Sequence, residues 1–225
     1  VMTLSLRLLL AGLFGLTLAS GAAARDAPAP RPALWQVSDP DTTIYLFGTI
    51  HLLPEGTRWR SPAFDKAVGE AQQLVVETIV DKKDPAKIMA ALSSLAFSQG
   101  LPPLAERVPA DKRDELAAAV TKSGFPPAAL DRMESWAAAM MLLGAQFVDL
   151  GLKVDQGVET VLHEEFTKSG RPIGELETNV EQFGFFDRLP EKAQRALLES
   201  TIEPNSEVRS DFAAMLDAWT SGDVG

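Results

Sequence analysis

The chain has 225 residues, no cysteine, 21 lysines and arginines against 31 aspartates and glutamates, and a formal net charge of −10. An acidic surface with no basic stripe repels phosphate backbones, which excludes nucleic acid as a partner class and argues against an electrostatic hold on anionic lipid. The lack of cysteine excludes disulfides and thiolate metal sites.

The first stretch, "MTLSLRLLLAGLFGLTLASGAAARDA", has one cation, Arg7, then an apolar run from Leu8 to Ala19 and small residues ending in Ala22-Ala23-Ala24. This pattern predicts a signal peptide over residues 1–24, cleaved after Ala24, because its apolar run is short for a membrane span. The product is therefore expected to be periplasmic or secreted, with no membrane span left after cleavage. "RDAPAPRP", residues 25–32, reads as an extended proline-rich lead-in. Residues 33–225 are long enough for one sizeable core, so a single domain is expected.

"ALWQVSDPDTTIYLFGTIH" predicts a β-hairpin, with strands over 33–37 and 42–50 around a Ser38-Asp39-Pro40-Asp41 turn. A helix is expected from Ser61, as N-cap with Pro62 at the first helical position, to Gln72. "QLVVETIV", residues 73–80, predicts a second strand. Helices follow from Asp84-Pro85 to about Ser98, and from Asp111 to a stop at Gly124. "PPAALDRMESWAAAMMLLGAQFVDLG" predicts one long helix, with Met133, Trp136, Met140, Leu143 and Phe147 at spacings of three and four. It is apolar almost all round from Ala137 to Val148 and is expected at the centre of the core. A helix over 155–168, a third short strand in "RPIGELET", and helices over 179–188, 190–202 and 206–220 complete the pattern. The expected class is α/β (α+β): a small mixed sheet with an N-terminal hairpin and a large inserted helical region.

Each of the three principal predicted strands ends in polar residues. The hairpin runs through Gly48 into His51, the second strand carries Glu77, and the third carries Glu175 and Glu177. If the strands are parallel neighbours, these groups converge beyond their carboxyl ends, where ligands of open α/β sheets collect. Imidazole with carboxylate is the donor set of cysteine-free Zn, Mn, Co or Fe sites, and a non-ligating carboxylate there can accept a proton from attacking water. Glu77 carries the most weight, since a carboxylate buried in an apolar strand is costly unless paired or metal-bound. Plainer readings stand beside each residue. Glu77 fits equally a salt bridge or a strand already surfaced, His51 a hydrogen-bonded structural histidine, and Glu175 or Glu177 a solvated position. Gly48 serves either close backbone approach or a bulge. "HEEFT", residues 163–167, lacks the second histidine of a zincin and reads as the wet face of a helix. No G-x-S-x-G elbow, P-loop or dinucleotide fingerprint is present.

"LWQVSDPDTTIYLFGTIHLLPEGTRW" resembles the TraB/GumN family, whose relatives include PrgY and the Tiki proteases. The carriers are the L-W-x-V hairpin, the G-x-x-H motif at Gly48-Thr49-Ile50-His51, and "LVVET" with Glu77. "QGVETVL" is similar to a G-V-[DE] segment, placing Glu159 at its acidic position. "GELETNVEQFGFFDRLP" matches Glu177, Thr178 and Gln182, and "LDAWTSGD" resembles a W-x-x-G-D step. The resemblance implies an α/β core with an inserted helical region and metal-dependent protease chemistry, with His51 and Glu77 as metal or catalytic residues and Glu177 as a further candidate. It also implies an arginine-containing helix and a second G-x-x-H strand after the W-x-x-G-D step, which this sequence lacks. The expectation is a chain cut short at its C-terminus, with an exposed sheet edge.

The function expected on these grounds is a periplasmic metal-dependent hydrolase, a peptidase by preference. His51, Glu77 and Glu177 would bind a divalent ion (Mn, Co or Zn), with Glu77 and Glu177 as the catalytic carboxylates and Gly48, Glu159 and Glu175 completing the motif. Its partner would be a peptide or small-molecule substrate. The alternative is a non-catalytic exported binding protein in envelope polysaccharide production, and the plainest reading is a structural domain whose polar strand ends only cap a core.

Overall fold

A computed structural model of the chain describes residues 29–80, 84–202 and 205–225. The expected signal peptide and the first half of the lead-in lie outside the described residues. Asp39 closes the first turn: its Oδ1 accepts from the amides of Thr42 at 2.7 Å and Asp41 at 3.3 Å. This Asx geometry joins β1 (Leu34–Ser38) to β2 (Thr43–Phe47) in an antiparallel ladder, with Leu34 opposite Phe47 and Ser38 opposite Thr43. Leu34 and Phe47 pack into the core, while Trp35, Val37, Ile44 and Leu46 form an exposed apolar outer face.

The second strand is shorter than its apolar run. It stops at Phe47, and residues 48–52 leave the ladder before a two-residue strand, β3 (Leu53–Pro54). The helix α1 (Pro62–Glu70) begins as its sequence dictates, with Ser61 Oγ accepting the Phe64 amide at 3.2 Å. β4 (Leu74–Val76) and α2 (Pro85–Leu95) follow, then α3 (Arg113–Ser123), stopped by Gly124 at φ 73°.

The single long helix expected next is two. α4 (Pro127–Leu130) and α5 (Ser135–Asp149) are separated because long-range partners take the backbone between them. The buried Arg107 guanidinium donates to the carbonyls of Asp131 and Met133, both at 2.5 Å, and the Glu134 amide donates to Ala96 O at 2.7 Å. The Glu134 amide, a single donor, cannot also serve a helical ladder. Within α5 the most buried positions are 135–139 and Leu142, and Val148 is exposed, so the helix surfaces at its end.

β5 (Leu152–Lys153) pairs antiparallel with β3, a contact the sequence did not announce. α6 (Val158–Lys168) starts at Gly157, later than expected, after a 3-10 turn over Val154–Gln156. β6 (Ile173–Glu175) pairs parallel with β4, placing Val76 opposite Glu175. α7 (Asn179–Asp187) opens with a capping box between Thr178 and Glu181, and α8 (Glu191–Ser200) and α9 (Asn205–Ser221) end the fold.

The architecture is α+β, but among the described residues the expected mixed sheet resolves into three two-stranded ladders. The helical region packs α5 on α8 and α2 on α7. Leu53, Trp59, Phe64, Val158, Leu162 and Phe166 form a second core beneath the hairpin and α6. No helix among the described residues is long and apolar enough to cross a membrane.

Candidate functional site

Four consecutive residues, Gly48 to His51, make the bend between β2 and β3. Their contacts come from elsewhere in the chain. The Trp219 indole Nε1 donates to Gly48 O at 2.8 Å, and the Val158 amide at the start of α6 donates to Ile50 O at 3.1 Å. Thr49 Oγ1 donates to the Glu159 carboxylate, and His51 Nδ1 lies 3.0 Å from Glu159 Oε1. α6 approaches so closely that a Cβ on Gly157 would stand 1.9 Å from His51 O. The close-approach glycine is thus Gly157. At Gly48 a Cβ would meet nothing within 4 Å, and its φ is not positive, so the close-approach reading of that residue is not supported.

The electrostatics follow from this geometry. The hydrogen bond to Glu159 raises the His51 pKa above its ordinary value against the effect of burial, and the charges of Glu159 and Glu77 add to it. Burial pushes the Glu159 carboxyl up, but the hydrogen bonds from His51 and Thr49 outweigh it, so the group titrates below the usual range. The Glu159 side chain is 26% exposed and that of His51 66%. With Glu159 ionised, the imidazole donates through Nδ1 and keeps the Nε2 lone pair for another partner.

Glu77 directly follows β4, and its backbone carbonyl accepts the amides of Leu176 at 3.2 Å and Glu177 at 3.1 Å. Its side chain is not buried. The strand has surfaced there, so the expected burial cost does not arise. Gln182 Nε2 lies 3.5 Å from Glu77 Oε2, and Thr78 Oγ1 lies 3.5 Å from Gln182 Oε1.

His51, Glu77 and Glu159 line one cavity of about 620 Å³ together with Val76, Ile79, Val80 and Val154. Glu175 and Glu177 are not among its lining residues. Glu175 Oε2 accepts the Ile79 amide at 2.9 Å and braces the cavity wall. Among the lining residues not read as site residues in the sequence, two bear on the chemistry: His163, one helical turn after Glu159, and Gln182 on α7, which only the resemblance had matched. The first was legible in the i, i+4 spacing: Glu159, His163 and Thr167 share one stripe of α6, while Val158, Leu162 and Phe166 form its buried stripe.

In kind, these donors suit a divalent ion of the Mn, Co or Zn type, and a carboxylate on the far nitrogen of a ligating histidine is the usual second support. In number they fall short, because no three His, Asp or Glu side chains among the described residues gather closely enough to hold an ion.

A family model described as the TraB/PrgY/gumN family matches residues 33–225. The chain is 25% identical over 159 residues to the uncharacterized protein YbaP of Escherichia coli (strain K12), which covers 71% of this chain and 57% of that protein. It is 25% identical over 158 residues to YbaP of Shigella flexneri, 70% of this chain and 56% of that one. The chain thus spans little more than half the length of these curated relatives. No solved structure matches it. With its hairpin, its Gly48-to-His51 bend and its parallel β4–β6 pair all inside the matched region, the chain belongs to the TraB/PrgY/gumN family.

Proposed function

We propose that the protein is an exported, metal-dependent hydrolase acting on peptides, and that the cavity holding His51, Glu159 and Glu77 is its active site. One observation carries the reading: His51 Nδ1 lies 3.0 Å from Glu159 Oε1, with Glu77 in the wall of the same cavity. An imidazole locked this way presents its other nitrogen in a fixed orientation, which a purely structural histidine does not require. Export rests on the apolar segment from Leu8 to Ala19 and the small residues after it.

His51 would hold a divalent ion through Nε2, with Glu77 as ligand or general base; Glu177, outside the cavity lining, is the candidate for the third donor that the described residues do not gather. When bound, such an ion polarises a carbonyl and lowers the pKa of water. Glu159 keeps the His51 ring in one tautomer and orientation. As general base, and then not a ligand, Glu77 at the cavity wall would take the proton from an attacking water. The apolar wall of Val76, Ile79, Val80 and Val154 suits the side chains of a peptide better than a sugar.

Turnover of a peptide library tests this. The expected result is hydrolysis that a chelator abolishes and Mn, Co or Zn restores, with a loss of about 100-fold or more in Glu77→Gln. Stoichiometric metal without turnover would instead favour the exported binding protein.

A further inference from the structure

We propose that Trp219 is a positioning residue of the His51 site: its indole N–H holds the Gly48 carbonyl and fixes the bend that aims the imidazole at Glu159. The catalytic consequence rests on the hydrolytic reading above, whereas the clamp itself does not.

Phe47 is the last residue of β2 to pair with β1, so the exposed Gly48 carbonyl is released from the ladder and open to another donor. Trp219 supplies it from α9, 171 residues away in the chain, at 2.8 Å. The ring itself has little freedom. Its centroid lies 6.0 Å from that of Phe47, edge to face, and 6.3 Å from that of Trp59.

The last turn of α9 is fixed as well. Gly222, at φ 74°, and Asp223 close it in a Schellman motif, their amides donating to Trp219 O at 3.1 Å and Ala218 O at 2.9 Å. Arg31 is laced to the same turn, its amide to Thr220 O and its Nε to Ser221 O, each at 2.9 Å. A Cβ on Gly222 would stand 2.4 Å from Arg31 O, so only glycine permits this approach. The W-x-x-G-D step therefore has a physical reading: the glycine and aspartate end the helix where the tryptophan can reach Gly48. From the other side, Val158 holds Ile50 and Gly157 abuts His51, so the bend is gripped between α6 and α9. Thr49 and His51 then both reach Glu159.

The test compares Trp219→Phe, which keeps an aromatic ring and loses the N–H, with Phe47→Leu, which disturbs the same ring cluster and leaves the N–H in place. Hydrogen exchange is followed by mass spectrometry in the full chain. Trp219→Phe should speed exchange of the Val158 amide, which donates to Ile50 O in the gripped bend, by about five- to tenfold, the factor expected for one lost hydrogen bond. Phe47→Leu should lower global stability without that local signature. In the peptide assay Trp219→Phe should lower kcat by a similar factor and leave KM unchanged. Unaltered exchange of the Val158 amide in Trp219→Phe, or the same pattern in both variants, overturns the proposal. Faster local exchange in a protein that hydrolyses nothing leaves the clamp standing and counts against the hydrolase alone.

Discussion

The pairing of His51 with Glu159 has a signed pH signature in the metal-free protein. His51 titrates above its ordinary 6.5, so its share of stability is full below pH 6.5 and is lost as pH rises through the raised value. Glu159 titrates below its ordinary 4.5, so its share is full above pH 4.5 and is lost as pH falls through the lowered value. The advantage of wild type over Glu159→Gln should therefore peak between these two limits and shrink on either side. With His51 largely exposed, it should stay below about 1 kcal/mol. Urea unfolding across pH 3–9 in chelator, a range of roughly two units beyond the ordinary values of both groups, reads this out; a flat difference would remove the pair as an electrostatic unit. The two glycines make a second contrast. Gly157→Ala must push against the His51 carbonyl and should cost about 1–3 kcal/mol, whereas Gly48→Ala meets open space and should stay within about 1 kcal/mol of wild type. Equal effects at both positions, measured by denaturant midpoints, would contradict the close approach of α6.

Among the elements, the break between α4 and α5 shows where local pattern loses to a distant partner. Every residue from Pro127 to Asp149 tolerates a helix apart from its ends, and the spacing of Met133, Trp136 and Met140 favours one. What ends it is Arg107, buried, whose guanidinium takes the carbonyls of Pro102, Asp131 and Met133. Arg107→Met removes all of these donors and leaves part-buried acceptors unpaired, which should cost about 2–3 kcal/mol. A loss under about 1 kcal/mol in thermal or urea unfolding would mean that the break is set by something else. The short strands teach the same lesson. Asp39, Ser61 and Gly124 announce their turn, cap and stop through local chemistry, and each stands at its expected position, whereas the Thr178 cap of α7 went unread. The β3–β5 pair depends on two residues from each strand meeting across about a hundred positions, for which no local signal exists.

For the molecule as a whole, the α+β class and the meeting of His51 with Glu77 in one cavity were legible from strand endings, and the parallel β4–β6 pair supplies part of the reason. The route differed from the expected one. Glu77 owes its place to a strand that surfaces, and the partner of His51 is Glu159 from a helix. No strand-end argument reaches Glu159, and only the resemblance of "QGVETVL" singled it out. Glu175 serves the backbone of Ile79, and Glu177 donates its amide to Glu77, so the third strand shapes the cavity before it contributes any carboxylate.

The most direct measurement is metal content. Purified protein, exchanged against Mn, Co or Zn and freed of loose ions, would be compared with His51→Ala and Glu77→Gln by inductively coupled plasma spectrometry. Wild type should carry close to one ion per chain, and both variants should lose most of it. Equal, negligible metal in all three would contradict it.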